Sequence, residues 1–177
     1  MAKLKKMRKL NKAVSAQLAP FGISKAECTN SYAYYFDEEK VTFSLTVDIA
    51  DKWFSEFVEE RFGYKVKLPF IISLLHEVGH HKTDDEIGDM IYEFCSNEKD
   101  RIETTMAADG ISLEEQKKLE WEYFNLPDEI MATQWAVNYA KKHPRKVKKM
   151  WNEIVPVLME FYRANLDPKV MAELAGD

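Results

Sequence analysis

The 177-residue chain is 46% hydrophobic, 12% aromatic and 31% charged, apolar enough for a packed core, which excludes a disordered or collagen-like chain. Its net charge of -5 excludes a global basic field that would draw it to nucleic acid. Two cysteines, Cys28 and Cys95, exclude a disulfide framework and read as core residues in a reducing compartment.

In chain order, residues 2–19 form the first expected helix. Leu4, Met7, Leu10, Val14 and Leu18 recur every three or four residues opposite a basic face, and Pro20 and Gly22 end the run. That spacing is not the unbroken apolar stretch of an export signal, and no run of 18 apolar residues occurs anywhere, so a cytoplasmic protein without membrane contact is expected. Residues 32–36 and 41–47 bracket four polar residues. Val41, Phe43, Leu45 and Val47 alternate with Thr42, Ser44 and Thr46, the pattern of a half-buried antiparallel hairpin. Residues 49–62 return to helical spacing, with Gly63 as the stop. Pro69 opens a helix whose run from Phe70 to Leu75 is apolar and therefore buried. Thr83 with Glu86, and Ser112 with Glu115, read as capping boxes opening new helices. Pro127 opens a helix to about residue 142. A last long helix contains Pro156, expected to kink it, and Asp167 with Pro168 is expected to cap a short terminal helix. The fold class is α+β, mostly helical, with a small antiparallel sheet packed on the helix that begins at Pro69. It reads as one domain over residues 1–177. Residues 84–122, with 13 acidic and 4 basic side chains, form an acidic helical insertion, and residues 144–177 a helical extension.

The chemistry centres on His76, Glu77, Val78, Gly79 and His80, an H-E-x-x-H pattern inside a buried helix. Residues four apart on a helix differ by about 40° around the axis and about 6 Å along it, so two imidazoles can converge on one ion. Zn²⁺ accepts neutral imidazole nitrogen in tetrahedral sites. Glu77, about 100° around from His76, flanks the ion without ligating it and is placed to act as general base. Gly79 leaves room for another backbone. The candidate third ligand is Glu129, in the first turn of its helix, whose face continues through Ala132, Ala136 and Ala140; these small residues let two helices approach closely. Its neighbour Asp128 fits an exposed helix-start acid favoured by the helix dipole. Asp84, four residues after His80, competes with Glu129 only if the helix runs on unbroken. His81, Tyr123 and Tyr139 are candidates for stabilising an oxyanion.

His76, Glu77 and His80, followed by a later helix bearing Glu129 and Ala132, resemble the zincin metallopeptidases whose third ligand is Glu. The small ImmA/IrrE-like peptidases of bacteria, phages and mobile elements are the nearest in pattern, over about residues 30–142. The resemblance implies Zn²⁺ held by His76, His80 and Glu129, Glu77 as general base, and a peptide or protein substrate, with a phage or mobile-element origin. It also implies that an edge strand, here residues 41–47, binds extended substrate by strand addition. Two rival functions stand beside the peptidase. One is a zincin-fold binding, inhibitor or virion-associated protein acting by contact. The other is a nucleic-acid-associated protein using the basic residues near the N-terminus and the six basic side chains in residues 141–149.

Overall fold

The computed structural model describes residues 2–29, 35–37, 40–44 and 49–165. They fall into two compact units, one made of Met1–Leu45 with Pro144–Asp177, the other of Thr46–His143.

In the first unit, α1 (Ala2–Leu18) buries Leu10, Val14 and Leu18 completely, the stripe its spacing predicts. These residues pack against α7 (Pro144–Asn165), which buries Val147, Met150, Ile154, Leu158 and Phe161 at the same three-four spacing. Polar contacts at the rim are antiparallel: Lys9 Nζ pairs with Glu160 at 2.5 Å, and Gln17 Nε2 donates a hydrogen bond to Glu153 at 2.5 Å. The helix continues past Pro156.

The sheet of this unit has strand order β1 (Lys25–Thr29), β3 (Lys40–Ser44), β2 (Tyr35–Asp37). It is not purely antiparallel. The expected hairpin pairs β2 with β3 in antiparallel fashion, but β1 joins the other side of β3 in parallel, with Ala26 opposite Val41 and Cys28 opposite Phe43. Two polar residues of α1 hold β1 in place. Ser15 Oγ accepts from Ala26 N at 2.8 Å, and Asn11 Oδ1 accepts from Cys28 N at 2.9 Å, satisfying alternate N–H groups that β3 does not reach. β3 is therefore central, paired on both sides, and the expectation that it serves as an edge for an added substrate strand is overturned. The sheet's helix partner within its unit is α1. The expected strand extension to Val47 and the cap at Asp167 lie outside the described residues.

The second unit is helical, with α2 (Ile49–Phe62), α3 (Pro69–Thr83), α4 (Asp89–Met106), α5 (Leu113–Phe124) and α6 (Pro127–Lys142). Pro residues open α3 and α6 as expected, and Gly63 follows α2 with φ of 58°, a left-handed stop that favours glycine. Ser112 and Glu115 form a reciprocal capping box. Thr83 does not. Its backbone stays near helical geometry, and its hydroxyl donates back to Gly79 O at 2.9 Å. Asp84–Glu86 then form a short 3-10 turn, and α4 starts only at Asp89 after Gly88. No helix among the described residues is long and apolar enough to cross a membrane.

The centre of this unit is the α3–α6 contact. Ala132, Ala136 and Ala140 are buried on α6, and a Cβ placed on Gly79 would lie 2.3 Å from Ala132 O. The approach is so close that only glycine fits. In an isolated helix Ala is favoured over Gly by about 1 kcal/mol. Here the obstruction is backbone and cannot rotate away. Gly79→Ala is expected to lower unfolding stability by a net of about 1–3 kcal/mol, the usual cost of overpacking, read by urea denaturation. A variant as stable as the parent would contradict this contact.

Candidate metal centre

The α3–α6 approach brings together two imidazoles from one helix and a carboxylate from the other. His76 Nε2 lies 2.9 Å from Glu129 Oε2, His80 Nε2 lies 3.4 Å from Glu129 Oε1, and the two Nε2 atoms are 3.1 Å apart. The edge of a tetrahedron with metal–nitrogen bonds of about 2.0–2.1 Å is about 3.3 Å. The three donors are thus spaced as ligands of one ion, and the buried His76, His80, Glu129 group can hold a metal.

His76 is held from behind. His76 Nδ1 is 3.0 Å from Thr133 Oγ1, which is fully buried one turn along α6 from Glu129. With Nδ1–H donating to that hydroxyl, the Nε2 lone pair points toward Glu129 and the ion position. The edge of the His76 ring meets Phe54 at 5.1 Å, and Phe54 packs on Phe124. This aromatic wall from α2 and α5 keeps water from that side. His80 is the more open ligand, its side chain 19% exposed against 4% for Glu129. Access is therefore at the C-terminal end of α3.

The site is dense in buried charge. Glu77, Asp128 and Glu129 are all buried, and Lys99 on α4 donates to both Asp128 and Glu129, the latter at 2.6 Å. With neutral imidazoles and all three carboxylates ionised the group would carry −2; without an ion, proton uptake by its own side chains reduces that charge. The same imbalance acts on the side chains. Burial disfavours a charge on His80, but the Glu129 carboxylate beside it lifts its pKa to about 9. Burial pushes the Glu77 carboxyl up, partly offset by His76 and His80. Burial acts on Glu129 too, yet His80 and His76 hold it well below the usual carboxylate range.

His76, His80 and Glu129 converge here, whereas the competing candidate Asp84 lies in the exposed 3-10 turn. Asp128 departs from expectation, being buried with Oδ2 on Lys99 and with no hydrogen-bond partner for Oδ1 among the described residues. Of the oxyanion candidates, Tyr123 is close, its ring centroid 5.3 Å from Lys99 Nζ. Burial and then the carboxylate of Glu129 raise its hydroxyl pKa. Tyr139 stacks on Trp135 at 5.2 Å, ten residues or about 15 Å along α6 from Glu129. His81 points about 100° around α3 from His80. Cys95 is buried, and burial raises its thiol pKa.

Neither Lys99 nor Thr133 is signalled by the sequence. Lys99 is 29 and 30 residues before its acids, on a helix whose orientation local pattern does not fix, and Thr133 carries no signal beyond one turn's distance from Glu129. Lys99→Met keeps the length of the side chain but leaves two buried carboxylates without their cation. The metal-free protein is expected to lose about 1.5–3 kcal/mol, the range for hydrogen bonds to charged groups. Zinc should then raise the melting temperature more in the variant than in the parent, because the ion becomes the sole neutralising cation. Equal melting of parent and variant without metal would show that the Lys99 pairing is not structural.

Comparison with known protein families, characterised proteins and solved structures finds no match to this chain.

Proposed function

We propose that the chain is a zinc-dependent peptidase of the zincin type, similar to the small ImmA/IrrE-like enzymes in its ligand pattern and of phage or mobile-element origin. The observation that carries this reading is the buried triangle of His76, His80 and Glu129 with Glu77 adjacent to His76 on the same helix. Two imidazoles and one carboxylate are the donor set of a catalytic zinc with an open position, which supplies Lewis acidity and lowers the pKa of water.

The chain's own residues divide the remaining work. His76, His80 and Glu129 hold the ion, with Thr133 fixing the His76 tautomer and Lys99 anchoring the Glu129 carboxylate. Glu77 takes a proton from the attacking water and delivers it to the leaving amine nitrogen. Its buried carboxyl, raised by desolvation, is suited to holding that proton between the two steps. Tyr123, near Lys99, is the hydroxyl donor available to a developing oxyanion. Peptide reaches the site from the half-open His80 side.

Elemental analysis of protein purified without added metal is expected to give about one zinc per chain. A mixed peptide library should be hydrolysed by that protein, not after chelation, and again after zinc is restored. No transition metal even after reconstitution would overturn the metalloenzyme reading. Metal without cleavage of any library member would overturn the peptidase reading and leave the metal site standing.

A further inference from the structure

The first turns of α4 break the rule that exposed helix surface is polar. Met90 is 84% exposed, Tyr92 60%, Phe94 53% and Ile91 47%. Single exposed apolar residues need no explanation, but four within five positions on one helix do. Helical geometry shows why they are exposed. Cys95, Lys99 and Ile102 form the inward face of α4, and Ile91 lies one turn before Cys95 on that same face. The inward stripe therefore runs on past its packing partners into solvent. Met90 and Phe94, four apart, extend the apolar surface around the other side, so this end of the helix is apolar on most of its circumference.

The charges beside it have one sign. Residues 84–94 contain Asp84, Asp85, Glu86, Asp89 and Glu93 and no Lys or Arg. Asp84, Asp85, Glu86, Asp89 and Glu93 are all exposed. An apolar surface with an acidic collar repels other acidic proteins and attracts a segment combining bulky apolar side chains with Lys and Arg. We infer that the 84–94 segment is a docking surface for a basic, apolar segment of another protein. The recognition does not depend on whether the metal site catalyses hydrolysis.

The test uses the full chain and three labelled 18-residue peptides, with their masses checked after binding. One carries Leu and Phe interspersed with Lys and Arg. The second replaces every basic residue by Glu, and the third replaces every apolar residue by Ser. Fluorescence anisotropy is expected to show the first binding at least about tenfold tighter than either other peptide, weakening as salt rises from about 50 to 500 mM. Met90→Ser, Ile91→Ser and Phe94→Ser combined should lose at least tenfold. The combination of Asp84→Asn, Asp85→Asn and Glu86→Gln, which spares the apolar residues, should lose the salt dependence. Equal binding of the acidic peptide, or unchanged binding in both variants, would overturn the proposal. So would sedimentation showing a dimer of the parent that the serine variant lacks, since the occupant would then be a second copy of this chain.

Discussion

Glu77→Gln is expected to reduce peptide hydrolysis by about 10²- to 10⁴-fold while the protein still folds and binds its metal. The amide nearly matches the carboxylate in size, so the packing of α3 against α6 is retained. His76, His80 and Glu129 are untouched, so the ion stays bound. What disappears, on the proposed mechanism, is the group that accepts a proton from water and returns it to the amine. An effect of that size is about 2.7–5.4 kcal/mol on the barrier, far more than a small shift in substrate binding would produce. Two measurements on one preparation decide it, single-turnover cleavage and zinc content. Cleavage at the parental rate would remove Glu77 from the mechanism. Loss of zinc together with activity would instead make Glu77 part of what holds the metal.

Much of the second unit was legible because local chemistry agreed with packing. Pro69 and Pro127 begin helices and Gly63 ends one, each for a backbone reason that tertiary structure has no cause to override. The capping-box reading at Thr83 failed where two local signals competed. A capping threonine needs an extended backbone, but α3 continues to Thr83 and its hydroxyl bonds one turn back to Gly79. Both outcomes fit the same four residues, and the chain's route to α4 chose between them. β1 carries little sequence signal because Lys25, Ala26, Glu27, Cys28 and Thr29 contain few strong strand formers. Its stability comes from β3 and from Asn11 and Ser15, residues distant in sequence.

The group that can hold a metal ion was legible for a simpler reason. His76 and His80 are fixed relative to each other by helix geometry alone, and Glu129 was singled out by the alanine stripe beside it. The surrounding charges were not legible. That Asp128 would be buried, and that Lys99 would cross from α4 to meet both acids, depends on how three helices assemble. The acidic composition of residues 84–122 conceals Lys99, the half-buried lysine that pairs with both acids of the site.

Glu129→Ala is expected to weaken zinc affinity by more than about 10²-fold, whereas Asp84→Ala should leave it unchanged. Residues that merely support a ligand typically contribute 10- to 100-fold in affinity, so loss of a ligand itself should exceed that range. The geometry gives Glu129 both a reach and a reason. Its two oxygens face His76 and His80 at 2.9 and 3.4 Å, and among the described residues its buried carboxylate otherwise has only Lys99 to balance a charge shared with Asp128. Asp84 sits in the solvent-exposed 3-10 turn that follows α3. An exposed acid at a helix end contributes well under about 1 kcal/mol, so its removal should change neither metal content nor melting temperature appreciably. Competition titration against a chromophoric zinc chelator measures both variants on one scale. The Glu129 variant should also keep its fold, because Lys99 retains Asp128 as a partner and the cavity left on α6 borders water on the His80 side. If the Asp84 variant lost zinc and the Glu129 variant kept it, the α3–α6 contact would not be the metal site, and the likeness to zincins with a glutamate ligand would fall with it.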